Sequence, residues 1–135
     1  MTAVLVDSNV LIDVLTDDVR WAAWSRGALA DAGGGSRVVI NAVIYGEVSV
    51  GFPRIEDVEV ALPAALFERE HIPFEAAFLA GKAFLAYRKR GGGRRSPLPD
   101  FLIGAHAAVA GYRLLTRDPR RYRAYFPSLE IIAPR

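Results

Sequence analysis

The sequence contains no cysteine, so disulfide bonds, thiolate metal sites and cysteine nucleophiles are all excluded. It has only two histidines, His71 and His106, whose separation is unlike that of paired metal ligands, and we expect both in or near the core. No uninterrupted apolar run approaches the length of a membrane span. The apolar run that follows Met1 is too short for a signal peptide and has no basic residues before it. These absences favour a cytoplasmic protein without a membrane segment.

Charge is distributed unevenly along the 135 residues, which we expect to form a single domain over residues 1–135. Residues 82–123 contain eleven Lys or Arg and two acids, a net charge of +9, whereas the remainder carries −7. Such a basic segment is a typical footprint for a polyanion such as nucleic acid, and a solvated charged face explains it equally well. The hydrophobic content of 52% is high, which suggests a well-covered sheet or an apolar partner surface.

Short apolar runs alternate with helical patterns along the whole chain. The runs predict strands near residues 3–6, 37–41, 71–73, 114–116 and 129–132. Helices are expected between them, including one over residues 55–67 and an amphipathic one over residues 75–90 whose inward side chains are Phe78, Leu79, Ala83, Phe84 and Tyr87. The three glycines at 33–35 read as a loop, because they lack the features of a phosphate-binding loop. The alternation predicts an α/β fold with a parallel sheet.

The stretch from Ser96 to Asp118 brings two carboxylates to comparable places. Asp100 lies in the first turn of an apolar helix that opens with prolines and ends at Gly111. Asp118 follows the short apolar run at residues 114–116, and the exits of parallel strands line the ligand crevice of open α/β sheets. A purely structural role for both residues is the alternative, because a lone Asp in a first helical turn usually interacts with the helix dipole and an Asp before a proline is usually a turn residue.

Two further acids occupy unusual positions. Asp7 ends a buried strand, and Ser8 and Asn9 after it are able to cap the next helix without it. Glu47 lies one residue off an apolar helical row, where a buried carboxylate is costly, and a side chain that reaches water at the helix edge is an equally good interpretation. Four carboxylates brought together require a cation, and all-oxygen ligands select Mg²⁺ or Mn²⁺ over zinc. An acidic pocket beside a basic segment suits the cutting of a nucleic acid backbone.

The motifs V-D-S-N-V-L-I, G-E-V-S-V-G, P-D-F-L-I-G-A-H-A and L-L-T-R-D, taken in this order and spacing, resemble the PIN domain and more narrowly the VapC toxins of bacterial toxin–antitoxin pairs. The similarity covers essentially the whole chain, including the closing R-R-Y-R-A-Y-F-P-S-L-E-I-I-A-P. It departs from the family pattern at His106, where a small or polar residue is expected.

The resemblance implies a three-layer α/β/α sandwich and a Mg²⁺- or Mn²⁺-dependent endoribonuclease that leaves a 5′-phosphate and a 3′-hydroxyl. It also implies a homodimer neutralised by a small antitoxin. Carried over by position, the catalytic set is Asp7, Glu47, Asp100 and Asp118, with Asp7 and Asp100 as direct metal ligands. Asn9 and Thr116 support them, and the basic residues expected to bind RNA are Arg94, Arg95 and Arg117.

Two other classes stay open at this point. A phosphatase of the haloacid dehalogenase type also begins with a strand and an Asp, but it needs a second Asp two residues on, where this chain has Asn9. A non-catalytic nucleic-acid-binding module of similar fold is also compatible with an acidic pocket, yet it should tolerate the loss of a carboxylate, and all four are present.

Overall fold

The protein is an α/β sandwich built on one sheet, and the computed structural model describes residues 2–93 and 97–135. The described residues form five strands: β1 (Ala3–Val6), β2 (Arg37–Ile40), β3 (Glu68–Arg69), β4 (Arg113–Leu115) and β5 (Ile131–Ile132). The same residues form seven helices: α1 (Ser8–Leu15), α2 (Ala22–Gly35), α3 (Ala42–Ser49), α4 (Ile55–Ala61), α5 (Phe74–Lys89), α6 (Leu98–Ala110) and α7 (Arg120–Tyr125).

The sheet has the order β3-β2-β1-β4-β5, and every neighbouring pair is parallel. The central strand β1 is buried along its whole length, with Leu5 paired to Val39 of β2 on one side and to Leu114 of β4 on the other. A sheet buried in this way requires helices on both faces. The predicted three-layer α/β/α sandwich around a parallel sheet is confirmed.

The direction of the chain reverses at β1. From β1 the chain moves outward through β2 to β3, and then crosses back to place β4 on the other side of β1. In open parallel sheets such a reversal opens a crevice at the carboxyl ends of the two strands that flank it. Residues that directly follow β1 and β4 therefore line this crevice, and these include Asp7 and Thr116.

Helix α6 agrees with its sequence pattern and contributes to the core. Gly111 ends the helix in the left-handed conformation with φ of 72°, which glycine adopts without strain. The side chains from Phe101 to Ala107 are largely buried, and Asp100 lies in the first turn as expected. His106 is buried in this helix, as predicted, whereas His71 is exposed and that part of the prediction is wrong.

Three predicted boundaries are wrong. The glycines at 33–35 belong to the last turn of α2, because β2 begins almost directly after them and leaves no room for a loop. Helix α4 ends at Ala61 instead of residue 67. The strand expected at residues 71–73 lies at Glu68–Arg69, an exposed and charged edge strand that an apolar pattern does not detect.

The buried face of α5 also differs from the prediction. Ala83 packs inward as predicted and is joined by Ala76 and Ala80, whereas Phe78 is 68% exposed and Leu79 is only partly covered. Phe84 and Tyr87 pack against the core as expected, and the Tyr87 ring meets the Phe101 ring of α6 edge-on. Among the described residues, no helix is long and apolar enough to cross a membrane.

Close packing of α7 on α6 depends on Gly104. A Cβ at this position would lie 2.7 Å from a ring atom of Phe126 and 2.9 Å from a ring atom of Tyr122, both of which are buried.

We expect Gly104→Ala to destabilise the fold by about 1–3 kcal/mol through overpacking. Gly81→Ala is the matched control at an exposed position of α5, because no atom lies within 4 Å of a Cβ placed there. We expect this variant to be more stable than the parent by about 1 kcal/mol, since alanine favours a helix. Chemical denaturation of both variants checks the prediction, and a Gly104→Ala protein as stable as the parent contradicts it.

Candidate active site

A cleft of about 490 Å³ opens at the carboxyl ends of β1 and β4. We call it the acidic cleft, and its lining residues are Asp7, Ser8, Asn9, Tyr87, Asp100, Asp118, Arg120, Arg121, Tyr122 and Tyr125. They come from the turns after β1 and β4, the start of α1, the end of α5, the start of α6 and one side of α7. The structure therefore brings together three of the four predicted carboxylates in one cavity, and the fourth, Glu47, contacts its lining residue Ser8.

Asp7 is the most deeply buried of the acids, with 3% of its surface exposed. It is the residue that caps α1, so the role expected for Ser8 or Asn9 belongs to Asp7 instead, and its Oδ1 accepts a hydrogen bond from the Ser8 amide at 2.8 Å. Its Oδ2 accepts hydrogen bonds from Thr116 Oγ1 at 2.9 Å and from Tyr122 Oη at 2.8 Å. Donors from three separate elements thus fix this carboxylate.

Burial raises the pKa of Asp7 to about 6, because the charged form loses its hydration. The hydrogen bonds from Tyr122 and Thr116 act in the opposite direction, and the charges of Asp100 and Glu47 add to the increase. Asp100 lines the same cleft as Asp7, and Glu47 shares the hydrogen-bond partner Ser8 with it. Asp7 is therefore held in an environment where a nearby cation stabilises its charged form.

Glu47 reaches the same region from α3. Its Oε1 accepts a hydrogen bond from Ser8 Oγ at 2.8 Å, so Ser8 links Asp7 and Glu47 through its amide and its hydroxyl. Partial burial raises the pKa of Glu47, and the charge of Asp100 contributes in the same direction. Glu47 is half-buried, so its side chain keeps contact with water while it accepts the hydrogen bond from Ser8.

Asp100 projects from the first turn of α6 and pairs with an arginine of the chain itself. Arg121 Nη1 lies 2.6 Å from Asp100 Oδ2. The arginine side chain is 39% exposed, so the pair lies at the wall of the cleft and not in the core.

Asp118 lies at the rim of the cleft and is more exposed than the other acids. Its backbone amide donates to Thr116 Oγ1 at 3.2 Å, and its carboxylate lies 3.8 Å from the Arg120 side chain. Thr116 therefore connects Asp118 to Asp7. Asn9 Nδ2 also donates to Thr116 Oγ1, at 3.1 Å, so both residues that were expected to support the acids lie in one hydrogen-bond network, and that role stays a prediction.

Of the predicted RNA-binding residues, the structure describes Arg117, which is not among the residues that line the acidic cleft. Arg117 Nε donates to the buried carboxylate of Asp13 at 2.8 Å, and its guanidinium lies 5.8 Å from the Trp21 ring. Arg94 and Arg95 lie outside the residues that the structure describes. A role in RNA binding stays a prediction for all three.

The sequence did not identify Ser8 as the hydrogen-bond donor to Glu47, and it did not identify Arg121 and Tyr122 as cleft residues. The spacing of Tyr122, Tyr125 and Phe126 is a helical signal that would have placed α7 against the core. With α7 placed directly after Asp118, the residues beside those aromatics become candidates for the site. The individual hydrogen-bond partners have no such signal, because they depend on tertiary contacts.

The chemistry of the donors fits a hard divalent cation. The three neighbouring carboxylates offer only oxygen, which Mg²⁺ and Mn²⁺ prefer. In residues 2–93 and 97–135, no three His, Cys, Asp or Glu side chains already stand in positions to hold one ion together. Asp7 Oδ2 accepts hydrogen bonds from Tyr122 and Thr116, and Asp100 Oδ2 accepts one from Arg121. These carboxylate oxygens are therefore oriented by donors of the protein itself.

The fold and the site define an α/β protein with a carboxylate-rich cleft at the point where its sheet reverses direction. A family model described as PIN domain matches residues 4–127, and the chain therefore belongs to the PIN domain family. In sequence, no curated protein is significantly similar to the chain.

Solved structures of the same fold come from bacterial complexes. VapBC2 from Rickettsia felis, bound to a DNA fragment from its promoter, gives a TM-score of 0.74 at 14% identity, with 98% of each chain covered. VapBC-1 from nontypeable Haemophilus influenzae gives 0.73 at 16% identity, again with 98% of each chain covered. A toxin–antitoxin complex from Klebsiella pneumoniae gives 0.67 at 21% identity with the same coverage. These similarities establish a shared fold.

The raised pKa of Asp7 predicts a pH-dependent effect of Asp7→Asn. Below pH 4 the Asp7 carboxyl is protonated in both the folded and the unfolded protein, so burying it does not lower the stability of the fold. As the pH rises from 4 to 6 the buried group increasingly has to carry a charge, and the loss of stability reaches its full value above pH 6. The rise in the pKa of Asp7 from 3.8 to about 6 corresponds to a cost of about 3 kcal/mol, and less favourable hydrogen bonds to the amide offset about 1 kcal/mol of the gain from Asp7→Asn. We expect Asp7→Asn to be about 2 kcal/mol more stable than the parent at neutral pH.

Thermal denaturation in EDTA at about pH 4 and about pH 7.5 checks this expectation, since these values lie on either side of the transition. Asp13→Asn is a useful comparison, because that buried acid is paired with Arg117 and its loss should destabilise the protein. An equal gain for Asp7→Asn at both pH values contradicts the explanation.

Proposed function

We propose that this PIN domain is a toxin endoribonuclease that hydrolyses RNA phosphodiester bonds with a divalent metal ion. The observation that carries the proposal is the convergence of Asp7, Glu47 and Asp100 at the carboxyl ends of β1 and β4. Family membership and the toxin–antitoxin complexes that share the fold support the same function.

Asp7 and Asp100 are the proposed ligands of a Mg²⁺ or Mn²⁺ ion, with Glu47 and Asp118 completing the pocket. When bound, such an ion lowers the pKa of a coordinated water and neutralises charge on the phosphate under attack. Hydrolysis in this manner leaves a 5′-phosphate and a 3′-hydroxyl.

The chain's own groups supply positioning. Thr116 and Tyr122 hold Asp7 in one orientation through its Oδ2, and Ser8 holds Glu47 toward the same cleft. Fixed carboxylates avoid reorganisation during the reaction, which is the main electrostatic contribution that a protein makes to such chemistry. The acids attract cations and repel anions, so we expect an RNA phosphate to bind in the cleft only when a cation lies between it and the acids.

The proposed partners are an RNA substrate, a small cognate antitoxin and a second copy of the chain. Large apolar side chains exposed on α4 and α5, among them Ile55, Val60, Phe74 and Phe78, support the presence of protein partners. Similar folds in VapBC complexes support an antitoxin in particular. The phosphatase alternative is disfavoured because Asn9, at the position of the required second acid, donates its amide to Thr116.

The function is tested by Asp100→Asn in a cleavage assay with Mg²⁺ and single-stranded RNA. We expect the rate to fall on the order of a hundredfold or more, because the change removes a charge that faces the proposed ion. Asp31→Asn, an exposed acid of α2 outside the cleft, is the matched control and should cut at the parental rate. An Asp100→Asn protein that is folded and cuts as fast as the parent would rule the assignment out.

The basic segment generates a separate prediction for RNA binding. Arg94→Ala or Arg95→Ala should weaken binding to unrelated RNAs alike and reduce the slope of log K against log salt concentration by about one. Arg54→Ala removes an exposed arginine near the acids Glu56 and Asp57 and serves as the control. Fluorescence anisotropy at several salt concentrations measures the slopes, and unchanged slopes for Arg94 and Arg95 leave them as solvated surface residues.

A further inference from the structure

The acidic cleft contains a cation supplied by the chain. Arg121 Nη1 lies 2.6 Å from Asp100 Oδ2, and its guanidinium is 5.9 Å from the centre of the Tyr87 ring, within the range of a cation–π interaction. The contact joins α7 to the first turn of α6 and is not a bond between neighbours in sequence.

Two consecutive residues of α7 thus contact the two proposed metal ligands. Tyr122 donates to Asp7, and Arg121 donates to Asp100. The other arginine of the cleft, Arg120, lies beside Asp118 and is 92% exposed, so its charge is mostly screened by water. Among the described residues that line the cleft, Arg121 is therefore the cation best placed to offset the charges of Asp7, Glu47 and Asp100.

We propose that Arg121 is a resident counter-ion of Asp100 that a divalent ion has to displace, and that it thereby sets the ion affinity of the cleft. This inference rests on the proposed metal-dependent function. A guanidinium and a divalent ion beside one carboxylate repel each other, since charges a few ångströms apart interact strongly when partly shielded from water. Asp100 therefore pairs with one of them at a time.

Mutual exclusion has a thermodynamic consequence. Arg121 stabilises the ion-free protein by offsetting repulsion among the acids, and it opposes the ion by the same interaction. A residue that merely orients Asp100 has the opposite effect on ion binding, because its removal would leave the ligand less well positioned and weaken the affinity. A purely structural ion pair affects stability equally with and without the ion.

The experiment compares R121Q with the parent and with R123Q, which removes the same charge from an exposed position of α7 outside the cleft. Isothermal titration with Mn²⁺ measures affinity, and thermal denaturation is recorded in EDTA and in saturating Mn²⁺. We expect R121Q to bind Mn²⁺ roughly tenfold more tightly than the parent and R123Q to bind within twofold of it, because the repulsion acts only at short range. In EDTA, R121Q should melt below the parent, and saturating Mn²⁺ should close that gap by about 1.4 kcal/mol, the equivalent of tenfold.

Weaker or unchanged Mn²⁺ binding by R121Q, or a stability deficit that is the same with and without Mn²⁺, overturns the inference. Failure of all three proteins to bind Mn²⁺ overturns both the inference and the metal site. Binding that follows the expected pattern in a protein that does not cut RNA supports the inference and counts against the proposed function alone. The readouts are therefore independent of cleavage.

Discussion

The burial of the Asp7 carboxylate at the end of β1 is the constraint on which the rest of the cleft depends. A carboxylate with 3% exposure is costly unless hydrogen-bond donors and a cation compensate for lost water. The donors come from Ser8, Thr116 and Tyr122, so β4 must lie next to β1 and α7 must pack on α6. Gly104 permits this packing, because only a residue without a Cβ leaves room for the Tyr122 and Phe126 rings.

This arrangement shows where the fold gives up stability for function. The charges of Asp100 and Glu47 raise the pKa of Asp7, and a sequence selected only for stability would replace at least one of these acids. The chain offsets part of the repulsion internally, with neutral donors on Asp7 and the guanidinium of Arg121 on Asp100. The compensation is partial, which is the condition under which an added divalent ion still gains binding energy.

Sequence patterns predicted the parts of the protein that local rules determine. The strand before Asp7, the helix that starts near Asp100 and the glycine that ends it follow from burial and backbone conformation. Asn9 and Thr116 were found through family resemblance, and the structure places both in one hydrogen-bond network. Strand β3 was placed three residues too late and the exposure of Phe78 was missed, because an edge strand and an alanine-lined helix contact depend on neighbours distant in sequence. Arg121 was missed for the same reason.

A second buried network explains how two helices hold like charges close together. Asn41 caps α3 by accepting from the Ile44 amide, and its side-chain nitrogen donates to Nδ1 of His106 in α6 at 3.0 Å. Burial lowers the pKa of His106, which keeps the ring neutral and Nδ1 able to accept. Glu47 lies six residues beyond Asn41, and Asp100 six residues before His106, which is about 9 Å along each helix. The hydrogen bond therefore anchors one end of an antiparallel contact whose other end carries the repelling acids. A His at position 106, where the family pattern favours a small or polar residue, thus has a structural reason.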